Sequence, residues 1–125
     1  MKAVISSTGL WTPEQSISNE ELVESFNAYV DKWNADNADA IAAGTLDALD
    51  YSSAPFIEKA SGIKSRFVIS KAPILDPEQM RPNIAARSDD EPSILAEIAL
   101  HAANDALQRA GKTAADVDAV IAASW

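Results

Sequence analysis

The spacing of apolar residues predicts a long amphipathic helix in the first third of the chain. Four large apolar residues recur at three- and four-residue intervals, which is the period of an α-helix: Leu22, Phe26, Tyr29 and Trp33. Ser18 or Asn19 can cap this helix, and the glutamates that follow favour the positive end of its dipole. We therefore expect the four large side chains to pack against a core.

A second amphipathic helix is expected in the last third of the chain. Gly111 is a typical helix-ending residue, and Pro92 and several acidic residues suit a first turn that begins at Ser88, Asp89 or Asp90. The predicted buried face of this helix consists of Leu95, Ile98, Ala102, Ala106 and Leu107. The alanines on this face would allow a neighbouring element to approach closely.

Two apolar runs predict β-strands. Residues 2–8 begin with a β-prone run, and residues 117–123 are almost continuously apolar. An unbroken apolar run suits a strand covered on both faces, usually a parallel strand within an α/β sheet. Thr113 and Asp116 fit a capping box for one short turn before the second run. A helix followed by a buried strand is half of a βαβ unit, so the pattern predicts an α/β fold.

Two connecting segments are less regular. Residues 34–53 are rich in alanine and aspartate, and two short helices broken at Gly44 fit them. This segment is either a solvated surface cover or a lid over a site. Residues 71–93 contain four prolines, which predict an irregular connection with at most a turn or two of helix near residues 76–80.

Composition and charge narrow the class of function. The 125 residues are 47% apolar and 23% charged, which is typical of a globular domain, and the net charge of −9 argues against nucleic-acid binding. No apolar run approaches the roughly 20 residues that span a bilayer, and the N-terminus does not resemble a signal peptide. The chain contains no cysteine, so disulfides and a cysteine nucleophile are excluded within these residues. We expect a cytoplasmic protein that does not bind membranes.

The sequence offers no complete catalytic or metal-binding set. The single histidine, His101, lies in the middle of the second helix and is expected to be structural or solvent-facing. The four glycines are isolated, so no phosphate-cradling loop is present, and the spacing typical of metal ligands is absent. We therefore assign no catalytic residue, no metal site and no cofactor to this chain.

Positive charge is concentrated in FIEKASGIKSRFVIS, residues 56–70, and in the residue that follows. The first half of this stretch predicts a helix and the second half a strand, with the break at Ser61 and Gly62. Four basic residues lie here: Lys59, Lys64, Arg66 and Lys71. They form either a solvated turn, in which Arg66 pins the strand to an acidic neighbour, or an electrostatic collar for an anionic ligand. In the second interpretation, Phe56 can stack on a planar group such as a purine.

Three blocks of the sequence resemble, in the same order, segments of the β-ketoacyl-acyl-carrier-protein synthase III enzymes. FIEKASGIKSRFVIS resembles the Trp-Ile-x-x-Arg-x-Gly-Ile-x-x-Arg segment of that family. AVISSTGLWTPEQSISNEEL is similar to its first strand, with Gly-x-x-x-Pro and then Asn-x-Asp/Glu-Leu. LAEIALHAANDALQRAGKTAADVDAVIAAS resembles its alanine-rich helix and the strand after it. Together the blocks indicate a thiolase-like condensing enzyme.

The resemblance implies a thiolase-like fold of two similar α/β halves. Residues 1–125 would form the N-terminal part of the first half, a mixed sheet with covering helices and a helical excursion at about residues 31–55. The nucleophilic cysteine of the family, and its histidine and asparagine, would fall beyond this sequence. We therefore expect the chain to be a fragment of a longer enzyme and to be inactive by itself.

The resemblance also implies an entrance for coenzyme A or phosphopantetheine at the basic turn. Phe56 takes the position of the family's tryptophan, which stacks on the adenine, and Ser52 falls near a threonine that contacts the same group. Ala60 replaces the family's arginine, and Lys59 beside it can compensate. Ser52, Phe56, Lys59 and Lys64 are the predicted substrate-binding residues.

The activity implied by the resemblance is an acyl transfer by decarboxylating Claisen condensation. The substrates would be acyl-coenzyme A and malonyl-acyl carrier protein, in fatty acid or related biosynthesis, and the intact enzyme would be a homodimer. Two alternatives stay open: a non-catalytic thiolase-like module for binding or dimerisation, and another thiolase-like condensation of the hydroxymethylglutaryl or long-chain head-to-head type.

Overall fold

The computed structural model describes residues 4–123, and the chain divides into two compact units. The central unit is Pro13–Ile84, and the terminal unit comprises Met1–Thr12 together with Ala85–Trp125. Both units contain helices, and the strands among the described residues form a two-stranded antiparallel sheet in the central unit. This mixture of helix and strand fits the predicted α/β class.

The central unit is built around its longest helix. Its elements are β1 (Gln15–Ser18), α1 (Asn19–Asp36), α2 (Ala38–Ala42), α3 (Ala54–Ser61), β2 (Ser65–Val68) and α4 (Ala72–Leu75). Helix α1 packs against β1, α3 and α4, and β1 pairs with β2 so that Ile17 lies opposite Arg66. Ile17 and Val30 are fully buried. The core of this unit therefore lies between α1 and the strand pair.

The start of α1 follows the sequence prediction. Ser18 is the N-cap: its Oγ accepts a hydrogen bond from the Glu21 amide at 3.2 Å, and its own amide donates to the Glu21 carboxylate at 3.0 Å. This reciprocal arrangement is a capping box. The four large residues predicted to face the core are half-buried, whereas the buried positions of α1 are Asn19, Ser25 and Val30.

The strands predicted at residues 2–8 and 117–123 are wrong for the parts that the structure describes. Residues 4–8 and 117–123 belong to no strand, while residues 2 and 3 lie outside the described range. A strand needs a hydrogen-bonding neighbour, and residues 4–123 supply none for either run. Ile121 is 90% exposed, so an apolar run that suits a doubly covered strand has no cover within the described residues.

The two irregular connections also differ from expectation. Of the two short helices expected in residues 34–53, the first forms as α2. The residues between Gly44 (φ +70°) and α3 form no second helix. In the connection at residues 71–93, the short helix α4 forms before residues 76–80, where a turn or two of helix was predicted. Pro77 explains the shift, because a proline disfavours helical backbone in the residue before it, and Asp76 is extended with ψ 115°.

The terminal unit contains α5 (Ile94–Ala110) and a short 3₁₀ helix (Ala114–Asp116). Helix α5 begins later than predicted, since its N-cap is Ser93 rather than a residue between 88 and 90. The upstream Ser88 instead donates its amide to the carboxylate of Glu91 at 3.0 Å, which closes a separate turn before the helix. The sequence contains two capping signals in succession, and the second one starts the helix.

The end of α5 and the turn after it agree with prediction. Gly111 follows the helix with φ +63°, a left-handed conformation that favours glycine. Thr113 and Asp116 form the predicted capping box. The predicted apolar face is half-buried at Ile98, Ala102, Ala106 and Leu107. The prediction is wrong for Leu95, the fifth residue of this face, which is 64% exposed.

The N-terminal segment docks closely on α5. A Cβ atom on Gly9 would lie 1.9 Å from the Ala102 carbonyl oxygen, so the two backbones are in direct contact. The Leu10 amide donates to Asp105 Oδ2 at 3.0 Å, and Trp11 stacks on His101 with 5.3 Å between ring centroids. The close approach expected from the alanine-rich face is therefore confirmed, and His101 has a structural contact.

Acidification is expected to weaken this docking. The hydrogen bond from the Leu10 amide, and then that from Arg109, hold the pKa of Asp105 below its usual value. A carboxylate with a lowered folded-state pKa stabilises the fold above its unfolded-state pKa of about 4, and the contribution is lost as the pH falls through the folded-state pKa. The Leu10 amide shift, followed by NMR in leucine-labelled protein, should titrate in this acidic range. The step should vanish in Asp105→Asn, and a pH-insensitive Leu10 amide in the native protein would contradict the contact.

Candidate functional site

Helix α3 carries the centre of the predicted site. Ser53 is its N-cap and accepts a hydrogen bond from the Phe56 amide at 3.3 Å. Pro55 lies in the first turn, where its missing N–H group removes no helical hydrogen bond. Gly62 ends the helix with φ +72°, which requires the conformational freedom of glycine. The predicted break between helix and strand at Ser61 and Gly62 is therefore confirmed.

Phe56 and Lys59 lie on the same face of α3. Phe56 is 66% exposed, so its ring is accessible for stacking. Lys59 and Ala60 follow it by three and four residues, and these spacings make both of them neighbours of Phe56 on the helix surface. Within residues 4–123, Lys59 forms no ion pair. The lysine can therefore offer its charge beside the ring, next to Ala60, the position to which the resemblance assigns an arginine.

Asn19 holds the turn that follows α3. This residue is only 3% exposed, and its side-chain amide donates to the Ile63 carbonyl at 2.6 Å and accepts from Arg66 Nη2 at 2.9 Å. Its backbone amide donates to the Lys64 carbonyl at 3.1 Å. Since Ser18 is the N-cap, Asn19 is free to turn inward. The Asn-x-Asp/Glu-Leu and Gly-Ile-x-x-Arg blocks are therefore in direct contact, and the sequence interpretation missed this role of Asn19.

The other cations of the basic turn have partners within the central unit. Three contacts involve them: Lys64 with Glu58 at 3.3 Å, Lys71 with Glu21 at 2.6 Å, and Arg66 with Asn19 at 2.9 Å. The contact with Lys71, and then the capping bond, lower the pKa of Glu21. Arg66 does pin β2, but its partner is a neutral amide and not the acidic neighbour of the solvated-turn interpretation. The glutamates partly neutralise the positive charge of Lys64 and Lys71, so the electrostatic collar is weaker than four basic residues would make it.

Ser52 is held by α1. Its amide donates to Asn27 Oδ1 at 2.9 Å, and its carbonyl accepts from Asn27 Nδ2 at 3.1 Å. Ser52 is half-buried and lies just before the Ser53 cap, so its backbone is fixed close to the start of α3. The sequence interpretation identified Ser52 by resemblance and assigned no role to Asn27.

Metal and membrane sites are not found among residues 4–123. No group of three or more histidine, aspartate or glutamate side chains there could hold a metal ion. None of the described helices combines the length and the hydrophobicity needed to cross a bilayer. An open, shallow groove in the central unit contains none of the predicted site residues and is lined by Glu14, Gln15, Ser16, Lys71, Ala72 and Leu75.

Comparison with known proteins identifies a relative. No protein-family profile matches the chain. The chain is, however, 59% identical over 101 residues to a beta-ketodecanoyl-acyl-carrier-protein synthase of Pseudomonas aeruginosa. The match covers 81% of this chain and 29% of that protein, so the chain spans less than a third of the length of its relative. The resemblance seen in the three sequence blocks is therefore confirmed, and this chain is similar to a part of that beta-ketodecanoyl-acyl-carrier-protein synthase.

Proposed function

We propose that the chain is part of an enzyme that condenses an acyl thioester with malonyl-acyl carrier protein and releases carbon dioxide. The observation that carries this proposal is the 59% identity over 101 residues to the Pseudomonas synthase. The name of that relative specifies a β-ketodecanoyl product, which favours a medium-length acyl chain here as well. Since the 125 residues contain no cysteine, the acyl-accepting thiol would lie elsewhere in the full-length protein.

Within this chain, we assign the coenzyme A or phosphopantetheine end of the donor to the surface around α3. Phe56 would stack on the adenine of coenzyme A, and Lys59 would attract its phosphates. Ser52 would border the same group at the start of the helix. Lys64 would add positive charge at the entrance and attract the acidic carrier protein, although Glu58 partly offsets it. The exposure of Phe56 and its shared face with Lys59 support this assignment.

The proposal extends to the architecture of the full-length protein. We place residues 1–125 at the N-terminal part of the first half of a thiolase-like fold, with residues 31–55 as an excursion from it. The order of the three sequence blocks and the mixture of helix and strand support this placement. We further propose that the full-length protein is a cytoplasmic homodimer with acyl-coenzyme A as its donor.

The proposed activity predicts a contrast between the full-length protein and the isolated chain. The full-length protein should convert acyl-coenzyme A and malonyl-carrier protein to a β-ketoacyl-carrier protein, and should retain radiolabelled acyl groups after acid precipitation. Residues 1–125 alone should retain none, since they contain no thiol. Covalent label on the isolated chain, or a full-length protein that forms no condensation product with donors of any chain length, would refute the proposal.

A further inference from the structure

Two asparagines of α1 bind an extended stretch of the excursion through paired hydrogen bonds. Asn34 accepts from the Leu49 amide at 2.9 Å and donates to the Leu49 carbonyl at 3.0 Å. Asn27 makes the same pair of bonds with Ser52, at 2.9 Å and 3.1 Å. Between them on α1, Asp31 accepts a hydrogen bond from the hydroxyl of Tyr51. The side chains at positions 27, 31 and 34 form a ladder along one stripe of the helix.

The spacing of the ladder matches the spacing of an extended chain. Seven residues of α-helix rise about 10.5 Å, and three residues of extended backbone cover about 10 Å. Each asparagine amide presents one donor and one acceptor to the same residue, as a neighbouring β-strand would. The helix thus satisfies the backbone of residues 49–52 in place of a sheet partner. This explains why the second helix expected after Gly44 does not form, and it favours a fixed cover over a mobile lid.

The ladder ends where the candidate site begins. Ser52 receives the last pair of bonds, Ser53 caps α3, and Phe56 donates its amide to that cap. The position of the Phe56 ring therefore depends on where Asn27 holds Ser52. Asn34 acts on Leu49, farther up the chain from α3, and has no such connection.

We propose that Asn27 is a positioning residue for the donor site, which sets the start of α3 and the placement of Phe56 through its two hydrogen bonds to Ser52. This inference rests on the proposed function, because it assigns Asn27 a role in binding the acyl-coenzyme A donor. Asn27 lies outside the three sequence blocks that carry the resemblance. The proposal also assigns a function to residues 49–52, which would hold the start of α3 in place. Tyr51 supports the same arrangement, since its hydrogen bond to Asp31 raises its pKa and keeps the hydroxyl as a donor.

The test compares Asn27→Asp with Asn34→Asp in the full-length protein. Each change is nearly isosteric and replaces the amide donor by a carboxylate that faces a backbone carbonyl. The repulsion between these oxygens should push the extended segment away from α1 and break both bonds of the pair, including the one that protects the backbone amide. Amide hydrogen exchange measures the ladder directly, and steady-state kinetics with acyl-coenzyme A measures its effect on the site. For Asn27→Asp we expect about 10-fold faster exchange at Ser52, with KM for acyl-coenzyme A raised roughly 3- to 10-fold and kcat changed less than about 2-fold.

The control separates positioning from simple destabilisation. Asn34→Asp should speed exchange at Leu49 by a similar factor and leave KM within about 2-fold of the native value. Unchanged exchange at Ser52 in Asn27→Asp would overturn the ladder, and faster exchange with unchanged KM would overturn the positioning role. If Asn27→Asp does not fold, Asn27→Gln moves the amide by one methylene and is judged by the same measurements. Absence of condensation by the native protein would refute the proposed function, while exchange at Ser52 and Leu49 would still decide whether the ladder exists.

Discussion

Replacing Phe56 with alanine in the full-length protein should reduce kcat/KM for coenzyme A thioesters by roughly 5- to 150-fold. The reason is that stacking of an aromatic side chain on a base contributes on the order of 1–3 kcal/mol, and each 1.4 kcal/mol is about a factor of ten. The ring is exposed on α3 next to Lys59, so little folding energy should be lost with it. Donors attached to a carrier protein contain no adenine, and their use should change far less.

Two further variants control this experiment. Phe56→Trp introduces the residue that the resemblance assigns to this position and should preserve use of coenzyme A thioesters. Phe67→Ala removes another exposed phenylalanine of the central unit, from β2, and should affect both classes of donor alike. An equal loss for both donors in Phe56→Ala would show that Phe56 contributes to packing in the full-length protein and does not contact the adenine.

Replacing Gly9 with alanine should destabilise the terminal unit by about 1–3 kcal/mol, the usual cost of overpacking a tight contact. The added Cβ would lie 1.9 Å from the Ala102 carbonyl oxygen and 2.6 Å from the Ala106 nitrogen. Both are backbone atoms of α5 and cannot rotate away as a side chain would. The segment should therefore move off the helix and lose the Leu10–Asp105 hydrogen bond and the Trp11–His101 stack.

Urea unfolding together with quenching of tryptophan fluorescence would measure this effect. Thr8→Ala is the matched control, because Thr8 precedes Gly9 and is exposed. Its unfolding midpoint and quenching should stay close to those of the native protein. A Gly9→Ala variant with native stability and native quenching would show that the N-terminal segment does not pack on α5 as described.

Local signals in the sequence predicted the ends of several elements correctly. The cap formed by Ser18 and Glu21, the left-handed Gly62 and Gly111, and the capping box that begins at Thr113 all depend on residues within about four positions of one another. Such interactions form with little help from the rest of the fold. Where two local signals competed, as at Ser88 and Ser93, the sequence did not show which one would start the helix.

The residues of the candidate site were predicted from the sequence, but most of their contacts were not. Resemblance and charge identified Ser52, Phe56, Lys59 and Lys64, and their role in binding a donor stays a prediction. That Phe56 and Lys59 share a face of α3 follows from helical spacing alone, which the sequence already contained. The structure decided that this face is exposed. The partners of the remaining cations did not follow, because Glu21 and Asn19 lie far from Lys71 and Arg66 along the chain.

The sequence by itself determined the two long helices, the cap at Ser18, the glycines that end α3 and α5, and the resemblance to the β-ketoacyl synthases, because these depend on neighbouring residues and on the order of motifs. Only the tertiary structure decided that Asn19 holds the turn after α3 and that Asn27 and Asn34 hold the excursion in an extended form. It also decided that residues 117–123 form no strand here. The physical reason is that a polar side chain or an extended backbone is satisfied by whichever partner folding brings to it, and such partners are distant in sequence.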